Sequence, residues 1–359
     1  MAEDGFTGYP AGSRGLRRVE VALFAAGLAT FALLYSTQPL LPELVTYFDI
    51  SPATSALSVS LTTLGLGAAL LVAGPASEVV GRTRLMHASL LVSSVLGLAC
   101  AVAPSWHALL ALRALQGVAL AGLPAVAVAY LREEVHDSVY GRAAGLYIAG
   151  NAIGGMTGRL VAGGLGDLAG WRVALAGVAG LGLVCAAVTF ALLPASRGFR
   201  PAPATVHSLL TTTRGVLTDP ALLALYGIGA VLMGGFVAVY NGLSFRLAAP
   251  PYSLPLSVAA LVFAVYAVGS ASSVTSGRAA DRWGRRAVGP LPCVVMIAGI
   301  ALTLAAPLWL VIVGLAVRRS ASMSSRATVA SPAESATTAG HRPTLQHTPA
   351  RVPKTDEPA

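Results

Sequence analysis

The chain has 359 residues, of which 55% are hydrophobic and only 11% charged. Ordinary soluble domains carry roughly 25% charged residues, so a soluble fold is excluded. The formal net charge of +9 would suit a nucleic-acid partner, but the arginines are distributed in a way that assigns them to membrane topology instead.

Apolar runs long enough to cross ~30 Å of hydrocarbon recur down the sequence, which also excludes a secreted protein with one cleaved signal. Helices are expected at about 19–46, 55–79, 85–103, 106–131, 142–166, 171–193, 221–246, 255–276 and 287–305. Asp49 to Pro52, Pro104-Ser105, Gly170, Pro194 and Pro250-Pro251 punctuate them. A tenth run starts at Leu308 and stops at Val317. Cys100, Cys185 and Cys293 all fall inside apolar runs and read as small packing residues.

With the N-terminus placed in the cytoplasm, Arg14, Arg17, Arg18, Arg82, Arg84, Arg132, Arg142, Arg197, Arg200, Arg214, Arg278, Arg282, Arg285 and Arg286 lie inside. Only Arg172 and Arg246 lie outside. That asymmetry follows the positive-inside rule and explains the basic charge without nucleic acid. The organisation read from it is a cytoplasmic segment 1–18, a six-helix bundle 19–193, a cytoplasmic linker 194–220 and a second, incomplete bundle 221–317. Residues 318–359 are rich in Ser, Ala, Thr, Pro and Arg and cannot bury a core. The expectation is a tail produced by a reading-frame change inside the tenth run. The fold class is therefore an all-α membrane protein of two related bundles, with about nine full transmembrane helices and half of a tenth.

Two loops share one pattern, 203 residues apart. Gly74, Glu78, Gly81 and Arg82 follow span two, and Gly277, Asp281, Gly284, Arg285 and Arg286 follow span eight. Glycines permit a tight turn, and the acid and arginine can pair with each other or with helix ends, so both loops read as conformational latches. Span four carries Arg113, Gln116 and Gly117, with the arginine about two turns inside the hydrocarbon. A charge at that depth needs a partner or a cavity. Span five carries Gly150, Gly154 and Gly158 at four-residue spacing, suited to close helix packing. Tyr147, Asn151, Gly155 and Arg159 form the polar stripe beside them. In span one, Pro39 and Pro42 free backbone carbonyls next to Gln38, and Glu43 follows. Tyr240 and Asn241 are the analogous polar pair on span seven. Gln38, Arg113, Gln116, Tyr147, Asn151, Arg159, Tyr240 and Asn241 are the candidate cavity or coupling residues. Arg113 and Arg159 are expected to face the cavity and recognise negative charge, relieved by substrate, by Glu43 or by another acid. Neither a catalytic constellation, nor metal-ligand spacing, nor a nucleotide loop is present, so the chain reads as a non-enzyme without metal or cofactor.

Together these residues resemble the major facilitator superfamily. The paired loops look like its signature loop and copy, with Glu78 where Asp is usual and Thr83 replacing a basic residue. The Arg113–Gln116–Gly117 run is similar to the helix-four motif linked there to proton coupling. The Gly150-Asn151, Gly154-Gly155 and Gly158-Arg159 form, with Tyr35 to Pro42, resembles the acriflavin-sensitivity (YnfM-like) branch. The resemblance implies a twelve-helix fold working by alternating access in the bacterial inner membrane. Its partners would be the lipid bilayer, a small-molecule substrate and protons, and it would act as a monomer. Proton-coupled efflux is the primary expectation. A non-transporting remnant or assembly partner, and uptake or exchange of an organic anion, are the alternatives, since two deep arginines without a deep acid suit an anionic or neutral substrate.

Overall fold

A computed structural model describes residues 7–197, 218 and 220–261. The second latch (Gly277, Asp281, Gly284, Arg285, Arg286), Cys293, the predicted spans beyond 261, most of the linker and the tail lie outside the described residues.

The elements are α1 (Arg14–Leu34), a 3-10 turn (Gln38–Leu40), α2 (Leu41–Phe48), α3 (Pro52–Val80), α4 (Arg82–Ala101), α5 (Trp106–Leu120) and α6 (Gly122–Glu134). After them come α7 (Asp137–Leu192), α8 (Pro220–Ala248) and α9 (Leu256–Leu261). Three of the starts are capped by serine. The hydroxyls of Ser13, Ser51 and Ser105 accept from the backbone N–H groups of Leu16, Thr54 and Ala108, the usual N-cap arrangement. The range labelled α7 holds two helices, spans five and six, which meet at Gly170, whose φ of 82° turns the chain between them. The sequence expects a break over 167–170; the span-five helix instead runs to Ala169, because Gly170 alone makes the corner.

Span one is the centre of the bundle. In its most apolar window 78% of residues are buried among the described residues, against 17% for α3. Its axis bends where Pro39 cannot donate to the carbonyl of Tyr35. The ladder tightens there to three-residue bonds, Gln38 N to Tyr35 O at 3.1 Å and Leu40 N to Thr37 O at 3.0 Å. At the outer end, Tyr47, Phe48, Trp106 and Trp171 form a ring cluster with centroids 4.9–5.6 Å apart, and Arg172 sits 4.2 Å over Trp171. Such aromatic layers mark a membrane–water interface.

Gly150, Gly154 and Gly158 lie against the backbone of Phe24, Leu28 and Ala32 on α1, so both helices advance four residues per contact. A Cβ at Gly154 would overlap the backbone of Leu28, and backbone cannot move aside as a side chain can. Gly154→Leu is therefore expected to cost ~3 kcal/mol or more and to lower membrane abundance and melting temperature sharply. Gly164→Leu, where nothing lies within 4 Å of an added Cβ, is the control and should behave as wild type. Equal behaviour of the two variants would remove the glycine groove from the packing account.

Candidate transport site

The polar residues of spans one, five and seven converge at the bend of span one. Arg159 is fully buried. Its Nε donates to Gln38 Oε1 at 2.6 Å and its Nη1 to the carbonyl of Gly155 at 2.6 Å. The guanidinium lies 4.2 Å from the ring centre of Tyr35 and 5.8 Å from that of Tyr240, within cation–π range. Gln38 passes the interaction on, donating through Nε2 to Asn241 Oδ1 at 2.6 Å. The hydroxyl of Ser244 donates to the carbonyl of Gln38 at 3.1 Å. A continuous line of hydrogen bonds thus runs from span five through span one to span seven, across the boundary between the two halves.

The spacing of this contact is informative. Gln38 and Asn241 are 203 residues apart, the same offset that relates Gly74 to Gly277 and Arg82 to Arg285. The two amides therefore occupy equivalent positions in the two halves.

Beside Asn241 an open cavity of about 600 Å³ separates α3 from α8, lined by Ser60, Thr63, Gly67, Met233 and Val237 among others. That volume lies in the usual range for small-molecule sites. Beyond the bend of span one, one contact joins α7 to α9 and another closes span one on span six. Asp167 accepts from Ser257 Oγ at 2.5 Å, and Glu43 accepts from the backbone N–H of Trp171 at 2.8 Å, just past the Gly170 corner. Glu43 Oε2 is buried and has no hydrogen-bond partner.

Arg113 is placed differently from Arg159. It is 1% exposed, and its fork is filled by neutral acceptors within the first bundle. Nε donates to the carbonyl of Ser58 at 3.1 Å, Nη1 to Leu33 O at 3.0 Å and Gln116 Oε1 at 2.6 Å, and Nη2 to Leu34 O at 2.7 Å. Gln116 in turn donates to Ser93 O at 2.9 Å. The acid expected to relieve this charge is not among these partners. The bend at Pro39 frees carbonyls that do the same work, because a carbonyl dipole accepts from a guanidinium without adding a second buried ion. Tyr147 and Asn151 lie against α1 at Gly27, one helix face away from the Gln38–Arg159 line.

At the end of the bundle that carries the N-terminus, Arg82 clamps Glu133 at the end of α6, with Nη2 to Oε1 at 2.7 Å and Nε to both oxygens at 3.1 Å. Its Nη1 donates to Ser77 Oγ at 2.7 Å, while Glu78 stands 3.8 Å away. Gly81, with φ of 98°, makes the turn that brings Arg82 there, and Gly74 faces open space. Sequence reasoning missed Glu133, Ser244, Tyr35 and the Glu43–Trp171 contact. Only the 203-residue offset, applied to Gln38, could have pointed to its partner.

Comparison with known proteins agrees with this architecture. The profile described as Major Facilitator Superfamily matches residues 23–342. The chain is 42% identical over 305 residues to the uncharacterized MFS-type transporter YybF of Bacillus subtilis, covering 85% of this chain and 76% of that protein. It is 41% identical over 274 residues to the inner membrane transport protein YnfM of Escherichia coli, covering 76% of this chain and 66% of that one. A solved bacterial homologue of the human lysosomal transporter Spinster, in an inward-facing and occupied conformation, superposes with a TM-score of 0.72 at 17% identity, over 92% of this chain and 78% of that one. Members of this family are membrane transporters and not enzymes, and on the profile match and these relatives the chain belongs to the major facilitator superfamily.

Proposed function

We propose that the chain is a proton-coupled secondary transporter of the bacterial inner membrane that exports a small anionic or neutral organic molecule by alternating access. The observation that carries this is the Asn241–Gln38–Arg159 line, which joins the two halves in the outer part of the protein beside an open cavity. The state described is then inward-facing, the conformation also named for the Spinster homologue. When the halves rock apart on the outer side, Gln38 leaves Asn241, and the Arg159 guanidinium behind it opens to the cavity as a site for negative charge. Arg113 and Gln116 act one layer behind, holding the bend that aims Gln38. We assign proton coupling to Glu43, whose Oε2 is buried without a hydrogen-bond partner, because taking up a proton removes a charge that burial disfavours. Arg82 and Glu133 latch the cytoplasmic ends of α4 and α6, with the loop 277–286 as the corresponding latch of the second half.

Cysteine labelling tests both topology and access. On a background lacking Cys100, Cys185 and Cys293, a cysteine at Ser196 should react with a membrane-impermeant maleimide only from the cytoplasmic side. A cysteine at Thr63, in the cavity wall, should react from the cytoplasmic side and only slowly from outside. Labelling of Ser196 from outside would invert the topology. A Thr63 position unreachable from either side would leave no transport cavity.

A further inference from the structure

The cytoplasmic end of span one meets that of span six at a second cavity, of about 820 Å³. It is remote from the transport site, and its rim is basic. Arg14, Arg17 and Arg18 reach it from the first turns of α1, and Arg197 from the segment after α7. None of these four side chains has an ion-pair partner among the described residues. The acids nearby are already engaged. Glu20 holds Arg142 at 3.1 Å, Glu133 holds Arg82, and Glu134 accepts from Ser196 Oγ at 2.8 Å and from the backbone N–H of Arg197 at 2.5 Å. Four guanidinium groups around one hollow repel one another, and the positive end of the α1 macrodipole adds to the same field.

The walls are built and not merely open. Tyr9 is fixed to the α6–α7 corner through Tyr9 N to Glu134 O at 2.8 Å and His136 N to Tyr9 O at 3.2 Å, and its ring covers Gly15, where any Cβ would collide with it. Opposite, the carbonyl of Pro194 is held by Tyr130 Oη at 2.9 Å. The floor is apolar: Val21 is 49% exposed, and Leu192 lies beside it. A basic rim over an apolar floor, at the depth where two spans leave the membrane, matches a phosphodiester with acyl chains attached and has no use for its floor if the anion is free in solution.

We propose that this cavity is a binding site for an anionic phospholipid headgroup, with Arg14, Arg17, Arg18 and Arg197 gripping the phosphate and Val21 and Leu192 taking the start of an acyl chain. Native mass spectrometry of the purified full chain with added phosphatidylglycerol or phosphatidylcholine tests it. The wild type and Arg84→Gln, an exposed cytoplasmic arginine outside the cavity, should retain phosphatidylglycerol preferentially. Arg17→Gln and Arg197→Gln, from opposite walls, should each lower that retention about fivefold, which corresponds to ~1 kcal/mol per basic residue. Ala195→Glu, an exposed rim position outside the helix, adds an acid while leaving every arginine in place, and should abolish the preference without disturbing the fold. Unchanged retention in these three variants overturns the site. Displacement of the lipid by inorganic phosphate as readily as by more phosphatidylglycerol overturns the lipid and leaves a free-anion site.

Discussion

Arg113→Met is expected to destabilise the first bundle by roughly 2–6 kcal/mol, because two buried acceptors lose a donor at ~1–3 kcal/mol each. These are Leu34 O and Gln116 Oε1, both served by Arg113 at 2.7 and 2.6 Å. Leu33 O and Ser58 O keep other donors, since the hydroxyls of Ser36 and Thr62 reach them at 2.9 and 2.8 Å, so they add little. Removing a desolvated cation returns part of the loss, which is why the range is wide. Arg113→Lys should do no better. An ammonium keeps the charge but has three donors on a flexible stem, and cannot serve acceptors on α1, α3 and α5 together. The measurement is the melting temperature of the purified chain in detergent, with membrane abundance beside it. Wild-type melting in both variants would show that Arg113 does not hold the bend, and would return it to the role of a charge acting on the cargo.

The second large effect is expected at Arg159. Arg159→Met should leave the chain inserted yet raise labelling of a cysteine at Thr63 from the outside at least about tenfold, a shift of ~1.4 kcal/mol that one charge-assisted hydrogen bond can supply. The reasoning follows the line of contacts. Arg159 fixes which end of the Gln38 amide faces Asn241, so without it Gln38 Oε1 loses its buried donor and the amide is free to turn. The closed outer side then loses both bonds. Arg159→Lys should fall between, keeping charge but losing the fork that reaches Gln38 and Gly155 O at once. If outside labelling at Thr63 does not change in Arg159→Met, the line of hydrogen bonds does not close the protein.

Much of this was legible in the sequence, for physical reasons. Apolar runs and the turn residues between them give the spans to within a few residues, because the bilayer sets their length. The polar stripe on span five and the polar pair on span seven mark residues that lipid will not accept, and the structure brings Gln38, Arg159, Tyr240 and Asn241 together. Three things were not legible. Arg113 is satisfied by Leu33 O and Leu34 O, and freed carbonyls leave no trace in residue identity. Arg82 finds Glu133 at a separation of 51 residues, where several acids were equally plausible on spacing alone. Tyr147 and Asn151 share a stripe with Arg159 but pack at Gly27, because the glycine lets α1 approach and cover them.

The meeting of Gln38 with Asn241 has a wider consequence. An amide carries donor and acceptor in one group, so it is its own complement. Placed on a pseudo-two-fold axis, it can bond to its own copy without either partner changing. A half-chain bearing such a residue could close against a second copy of itself from the first generation after duplication, and drift from Gln to Asn on one side would shorten the reach without breaking the pairing. The exchanged pair, Gln38→Asn with Asn241→Gln, keeps both groups and the total length, and so reads out how far the two halves are still interchangeable.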